Sequence, residues 1–294
     1  MHTRRLWLAY VVVMAGLAWL CFGSLRHHLL DGHDAESFAD HLLIDQDPSY
    51  FFSHNKQQAT GRFTADAAKY AVYLVFGNDP AAFHLAVVAT HLLAALLLAR
   101  LTYRLYAARM LAMLTGLLFL LNVTHFQAIH HISALDYPLG MVCICAAWLC
   151  WESSHRARMG MFALFMVLAV QAHPSLAALW LLPLYRLWQA HAAPRMIYTF
   201  GLTALPTAAA AVVSVLMASR QASTWHAIRE YGAQSTTDLI GGQVDVMLFL
   251  TSRLLSTAHW VLTPIYSQAP WEVFLGVVIV IALAYALYRL QAPY

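Results

Sequence analysis

Three carboxylates, Asp31, Asp34 and Glu36, fall within one or two turns of the end of an apolar segment, at the start of a polar stretch from Leu30 to Asp79. A carboxylate held there can accept the proton that a hydroxyl loses as it attacks an electrophilic carbon. Its position beside a membrane helix end suits a lipid-borne substrate. The plainer reading is that Asp34 caps a short helix and that this stretch seals the end of a helical bundle. Asp136 is the other ionisable group in an unusual place, at the mouth of an apolar segment. Such a residue is costly in a membrane and points to function. Tyr137 and Pro138 beside it also fit a helix opening, with Asp136 capping the freed backbone. Both readings stay open on the sequence alone.

The elements that must position these groups follow from composition. The chain has 294 residues, 61% of them hydrophobic and only 11% charged, far from the roughly one-quarter charged composition of soluble proteins. An all-α, polytopic integral membrane bundle is expected, forming a single membrane domain over 1–294. Apolar runs lie at Leu6–Leu25, Ala81–Leu101, Met110–Asn122, Tyr137–Trp151, Met159–Gln171, Ser175–Trp188, Ile197–Ala218 and Val273–Leu290, with a more polar run at Val246–Thr263. Eight spans are counted, or nine if the last of these crosses. Arg4 and Arg5 before the first run suit either a leader or an anchor; Cys21–Leu25 lacks a small-x-small cleavage pattern, so an uncleaved anchor is expected.

Charge sets the orientation. With the N-terminus cytoplasmic, Arg4, Arg5, Arg100, Arg104, Arg109, Arg156, Arg158, Arg186 and Arg195 all fall inside. The acids Asp31, Asp34, Glu36, Asp40, Asp45, Asp47, Asp66, Asp79, Glu230, Asp238 and Asp245 fall in outer loops, and Glu152 is the one clear inner acid. The net charge of +3 therefore hides a polarised molecule and gives no reason to expect a nucleic-acid partner. The first outer loop, 30–79, reads as two short amphipathic surface helices. One runs from Ala35 to Ile44, with Asp34 as its cap and Phe38, Leu42 and Leu43 opposed to Glu36, Asp40 and Asp45. The other runs from Thr64 to Phe76, capped by Thr64 and stopped at Gly77-Asn78-Asp79-Pro80. Tyr50, Phe51 and Phe52 form an aromatic cluster suited to a lipid boundary. In a second outer loop, 219–245, Trp225, His226, Arg229, Glu230 and Tyr231 suit either a lid or a solvated surface.

The sixteen histidines raise a metal or haem alternative. His27, His28, His33, His41, His54, His125, His130, His131 and His173 lie near the outer face, but His130 and His131 are adjacent and diverge on a helix. His84 and His91 are seven apart and share a helix face suited to bonding neighbouring helices. Cys143, Cys145 and Cys150 sit in one apolar helix as small hydrophobes, and no CxxC pair occurs. No metal site is expected.

Residues Asp31 to Ala134 resemble the GT-C class of membrane glycosyltransferases, especially bacterial relatives of protein O-mannosyltransferases and of the tetratricopeptide-bearing O-mannosyltransferases. The resemblance rests on the acidic first loop, Gly61-Arg62, LVFGNDPAAFHLAVVATHLLAALLL from Leu74 and NVTHFQAIHHIS from Asn122, with LTSRLLSTAHWVLTPIY from Leu250 further on. It implies transfer of a sugar from a polyprenyl-phosphate donor to a hydroxyl acceptor at the outer face of a bacterial inner membrane. It makes Asp34, then Asp31, the catalytic carboxylate, with Glu36 in reach. Arg62, Lys69, Arg229 and Arg253 are the outer cations for the departing phosphate, a role that a divalent metal would also fill. His84, His91, His125, Gln127 and Asp136 are the motif positions. Phe63 stands where the pattern has proline, and Gln127 stands where an acid is common. Together with the end of the chain at Tyr294, these departures support an alternative, a non-catalytic subunit of the same scaffold that stabilises a larger membrane complex with protein partners.

Overall fold

The computed structural model describes residues 2–28, 32–52, 62–122, 129–155, 157–173, 176, 179 and 202–213. Among these residues the protein is helical, without strands. Almost all of them belong to one compact unit, Met1–Leu121 with Gln127–Gln221. The helices are α1 His2–Phe22, α2 Gly32–Gln46, α3 Phe63–Phe76, α4 Pro80–Tyr106, α5 Arg109–Leu121, α6 Asp136–Trp151 and α7 Arg158–Ala172, followed by α8 Leu202–Val213. Tight 3-10 turns occupy Gly23–His27, Pro48–Phe52 and Ile132–Leu135.

Among the described residues, three stretches are long and apolar enough to cross a membrane: Arg5–His27, Pro80–Tyr106 and Ile132–Trp151. The shorter apolar helices α5, α7 and α8 match three further expected runs. The runs at Val246–Thr263 and Val273–Leu290 lie outside the described residues, as does nearly all of Ser175–Trp188.

α4 organises the packing because apolar residues line it on more than one side. Val88 and Ala95 join Met14, Ala18 and Leu120 in a core shared with α1 and α5. Leu101 joins Ile144, Trp148, Phe162, Met166 and Ala204 in a second core with α6, α7 and α8. Its start is legible in the sequence: the Asp79 carboxylate accepts from the Ala81 N–H at 3.0 Å, and Pro80 follows at the first helical position. Gly77, at φ +63°, ends α3 as expected, with its N–H on the Tyr73 carbonyl at 2.7 Å.

Small residues let these helices approach closely. On α5, Ala112, Gly116 and Leu120 recur every four residues and are buried. A Cβ added at Gly116 would lie 2.8 Å from the Ala99 Cβ and 2.9 Å from the Ala95 carbonyl, and it would also collide with the Tyr10 hydroxyl. That hydroxyl donates to the Met113 carbonyl at 3.0 Å, tying α1 to α5. Without water to drive helices together in lipid, such close contact supplies the association. Gly116→Leu is therefore expected to destabilise the protein by roughly 1–3 kcal/mol through overpacking. Gly160→Leu, at a site with open space around the Cβ position, should change little; reversible unfolding of both variants in detergent checks this.

Candidate functional site

The first loop folds back onto the segment that opens α6, and two polar contacts hold it there. Asp34 lies in the first turn of α2, and its Oδ1 accepts the backbone N–H of Ser133 at 2.7 Å. The expected helix Ala35–Ile44 thus begins earlier, at Gly32, and Asp34 sits inside it instead of capping it. The side chain that would have satisfied its own helix instead satisfies a backbone donor of the Ile132–Leu135 turn. The buried face of α2 also differs from the expected one. Asp34, Phe38, His41 and Ile44 recur at helical spacing and are buried, as is Asp40, whereas Leu42 and Leu43 are exposed. Phe38 selects this face: its ring meets Phe83 of α4 edge-on at 4.7 Å, in a small core completed by Ile132.

The second contact is an ion pair between Arg62 and Asp136. Arg62 precedes α3 in a non-helical conformation (φ −100°, ψ 59°), and no side chain caps that helix. Thr64, expected as the cap, lies inside α3, which starts at Phe63. Asp136 is the first residue of α6 and only 1% exposed. Its Oδ2 takes the guanidinium, while its Oδ1 is buried without a hydrogen-bond partner among the described residues. Burial of a lone carboxylate costs several kcal/mol, so Arg62 is what makes the charged form tolerable there. Lys69, also buried, lies 3.4 Å from Asp66 one turn earlier on α3.

Ser133 and Asp136 are three residues apart, so both anchors land on one short segment. His173, just beyond α7, adjoins it, with its ring 4.7 Å from that of Tyr137. Burial of the imidazole, and then the charge of Arg62, push the His173 pKa down to about 4. The unfolded chain, titrating near 6.5, binds the extra proton first. This residue's contribution to stability is therefore complete above pH 6.5 and lost as the pH falls toward 4. Unfolding of the wild type should become easier across that window, and His173→Phe, which cannot take up a proton, should flatten the dependence.

The two loop helices are latched to each other. Asp45 of α2 accepts from Tyr70 Oη at 2.9 Å and Tyr73 Oη at 2.6 Å, both on α3. These bonds, Tyr73 first, hold its carboxyl below the usual carboxylate range and raise both phenols. His41 lies between the Tyr73 ring at 5.2 Å and the Phe83 ring at 6.0 Å, continuing the latch into α4. Of the expected aromatic cluster Tyr50, Phe51 and Phe52, the two phenylalanines pack on each other and on Phe63, while the Tyr50 hydroxyl lies 3.4 Å from the Asp40 carboxylate.

Of the motif histidines, His84 and His91 lie among the described residues, both buried on α4. His91 Nε2 lies 3.3 Å from the Leu120 carbonyl, an acceptor, so that nitrogen carries the proton and joins α4 to α5. His84 is buried, and its ring lies 6.2 Å from that of His28, which is 5.4 Å from His130. Burial first, then the neighbouring imidazoles, lower the His130 pKa. Among the described residues no three His, Cys, Asp or Glu side chains are grouped to hold a metal ion.

Of the site residues expected from sequence, Asp34, Arg62 and Asp136 are brought together at this segment, with Lys69 further along α3. Asp31, the side chain of Glu36, His125, Gln127, Arg229 and Arg253 lie outside the described residues. Sequence reasoning missed the Ser133 N–H as the partner of Asp34, the Asp45 latch and the approach of His173. No protein-family model, curated protein or solved structure matches the chain. Among the described residues, the fold and site are those of a helical protein with three membrane-length helices, whose acidic first loop is docked onto the opening turn of α6.

Proposed function

We propose that the chain is a GT-C-like glycosyltransferase of a bacterial inner membrane. In this reading it has about eight spans, a cytoplasmic N-terminus and a loop at the outer face where sugar passes from a polyprenyl phosphate to a hydroxyl. Asp34 takes the acceptor's proton, with Asp31 and Glu36 as neighbouring carboxylates. Arg62 and Lys69, together with Arg229 and Arg253, offset charge on the departing phosphate. One observation carries the reading: Asp34 and Arg62 are 28 residues apart in the loop, yet contact residues three apart, Ser133 and Asp136. Fixed geometry of this kind is what proton transfer from a bound acceptor requires. A carboxylate has about four lone-pair sites and a guanidinium five donors. The Arg62 side chain is 30% exposed, which leaves part of it accessible.

A second reading, a non-catalytic subunit on the same scaffold, draws on the burial of Asp34, at 1% exposure, and on the engagement of Arg62 by Asp136. Incubating the purified chain with polyprenyl-phosphate sugar, with and without a divalent metal, and with a hydroxyl acceptor separates the two. Labelled product supports the transferase. A folded but inert chain that co-purifies with stable membrane partners supports the subunit.

A further inference from the structure

We propose that the arginine-rich end of the bundle, centred on Arg100 and Arg104 of α4, binds the phosphate of an anionic phospholipid. This site is independent of the transfer chemistry and lies at the other end of the helices from the Asp34 loop. Several connections assemble it. The Trp7 ring of α1 meets Tyr103 of α4 at 5.7 Å, so the start of α1 adjoins the last turns of α4. Arg104 donates to the Glu152 carbonyl at 3.4 Å, bringing in the end of α6. Arg158, at the start of α7, donates to the Ser153 carbonyl at 3.2 Å in the same connection. Ala107, in the left-handed region at φ 54°, turns the chain directly into α5, whose first residue is Arg109.

Positive charge therefore concentrates here. Arg5, Arg100, Arg104, Arg109 and Arg158 are all exposed, and Glu152 is the one acid in these connections. The Arg104 and Arg158 contacts named above go to backbone carbonyls, which carry no full charge. Arg100 and Arg104 are four residues apart and share a face of α4. The Arg100 guanidinium lies 5.8 Å from the centre of the Tyr103 ring, which orders it.

Length fixes the depth of this cluster. The 27 residues of α4 rise about 40 Å, against about 30 Å of hydrocarbon in a bilayer. With Pro80 at one boundary, the excess of about 10 Å, roughly the last seven residues, reaches the headgroup layer on the other side. That stretch is Arg100 to Tyr106. Trp7, Tyr103 and the exposed Tyr106 supply the amphipathic rings found at that level. A phosphate diester between acyl chains and water meets the guanidinium pair there, with its tails against the apolar face of α4.

The test uses the full chain in detergent, titrated with phosphatidylglycerol, phosphatidylcholine or inorganic phosphate and followed by native mass spectrometry and thermal stabilisation. Phosphatidylglycerol is expected to bind and stabilise, and phosphatidylcholine to bind more weakly. R100Q/R104Q should weaken phosphatidylglycerol about twenty-five-fold, at roughly fivefold per arginine, while R100K/R104K retains most of the binding. Should the glutamine variant fail to fold, raising salt on the wild type must release phosphatidylglycerol selectively. Equal binding of the two lipids overturns the proposal, as does salt-insensitive retention or unchanged affinity in the folded glutamine variant. Inorganic phosphate binding as tightly as phosphatidylglycerol overturns the lipid as its source.

Discussion

Arg62→Ala is expected to lower the stability of the protein by about 2–3 kcal/mol, somewhat below the range for removing one partner of a fully buried ion pair, because Arg62 is partly exposed. The loss arises less from the missing attraction than from what remains. Asp136 stays buried at the start of α6, and its other oxygen has no partner among the described residues. Asp136→Asn removes the charge and is expected to cost less. The double variant should recover part of the loss, so the two changes should be non-additive by about 1 kcal/mol or more. Reversible unfolding of the four proteins measures this coupling; strictly additive effects would show that the pair contributes little. Arg62→Ala should also release one anchor of the loop, so proteolysis of the loop is expected to accelerate.

Asp34→Asn is expected to reduce transfer by about 10²–10⁴-fold with little change in stability. The asparagine carbonyl can still accept the Ser133 N–H, so the tether survives, but an amide cannot take the acceptor's proton. Asp34→Ala removes both functions. It should lose activity and about 1–3 kcal/mol of stability, because a backbone donor is left unsatisfied. This divergence separates chemistry from positioning. A purely structural Asp34 predicts the opposite pattern, with Asn nearly fully active. Asp31→Asn is expected to have the smaller effect of the two neighbouring substitutions.

The sequence conveyed local signals well and long-range ones poorly. The start of α4 was legible because Asp79-Pro80 is a self-contained signal, a capping carboxylate before a proline at the first helical position. The end of α3 was legible because Gly77 supplies the positive φ that the turn needs. The orientation of α2 was not, since Leu42 and Leu43 are as apolar as any core residue. Which face is buried was decided by Phe83 and Ile132, far along the chain. Asp34 was read both as a catalytic carboxylate and as a local helix cap, whereas one partner of its side chain is a backbone N–H 99 residues away. Asp136 was recognised as anomalous, but the residue that resolves the anomaly, Arg62, is 74 positions earlier and reads on its own as a phosphate ligand. The Asp45 latch was hidden for the same reason. Two tyrosines on an amphipathic helix look like boundary residues until the neighbouring helix supplies the carboxylate.

The most direct test compares Asp34→Asn with Asp40→Asn in one transfer assay using a defined polyprenyl-phosphate sugar. Asp40 lies on the same helix and is also buried, with a 3.4 Å contact from Tyr50 Oη, so it controls for the loss of a buried carboxylate from α2. The wild type is expected to turn over, Asp40→Asn to stay within a few-fold of it, and Asp34→Asn to fall at least about a hundredfold. A folded wild type that transfers no sugar, or equal rates in the two variants, would contradict the role proposed for Asp34.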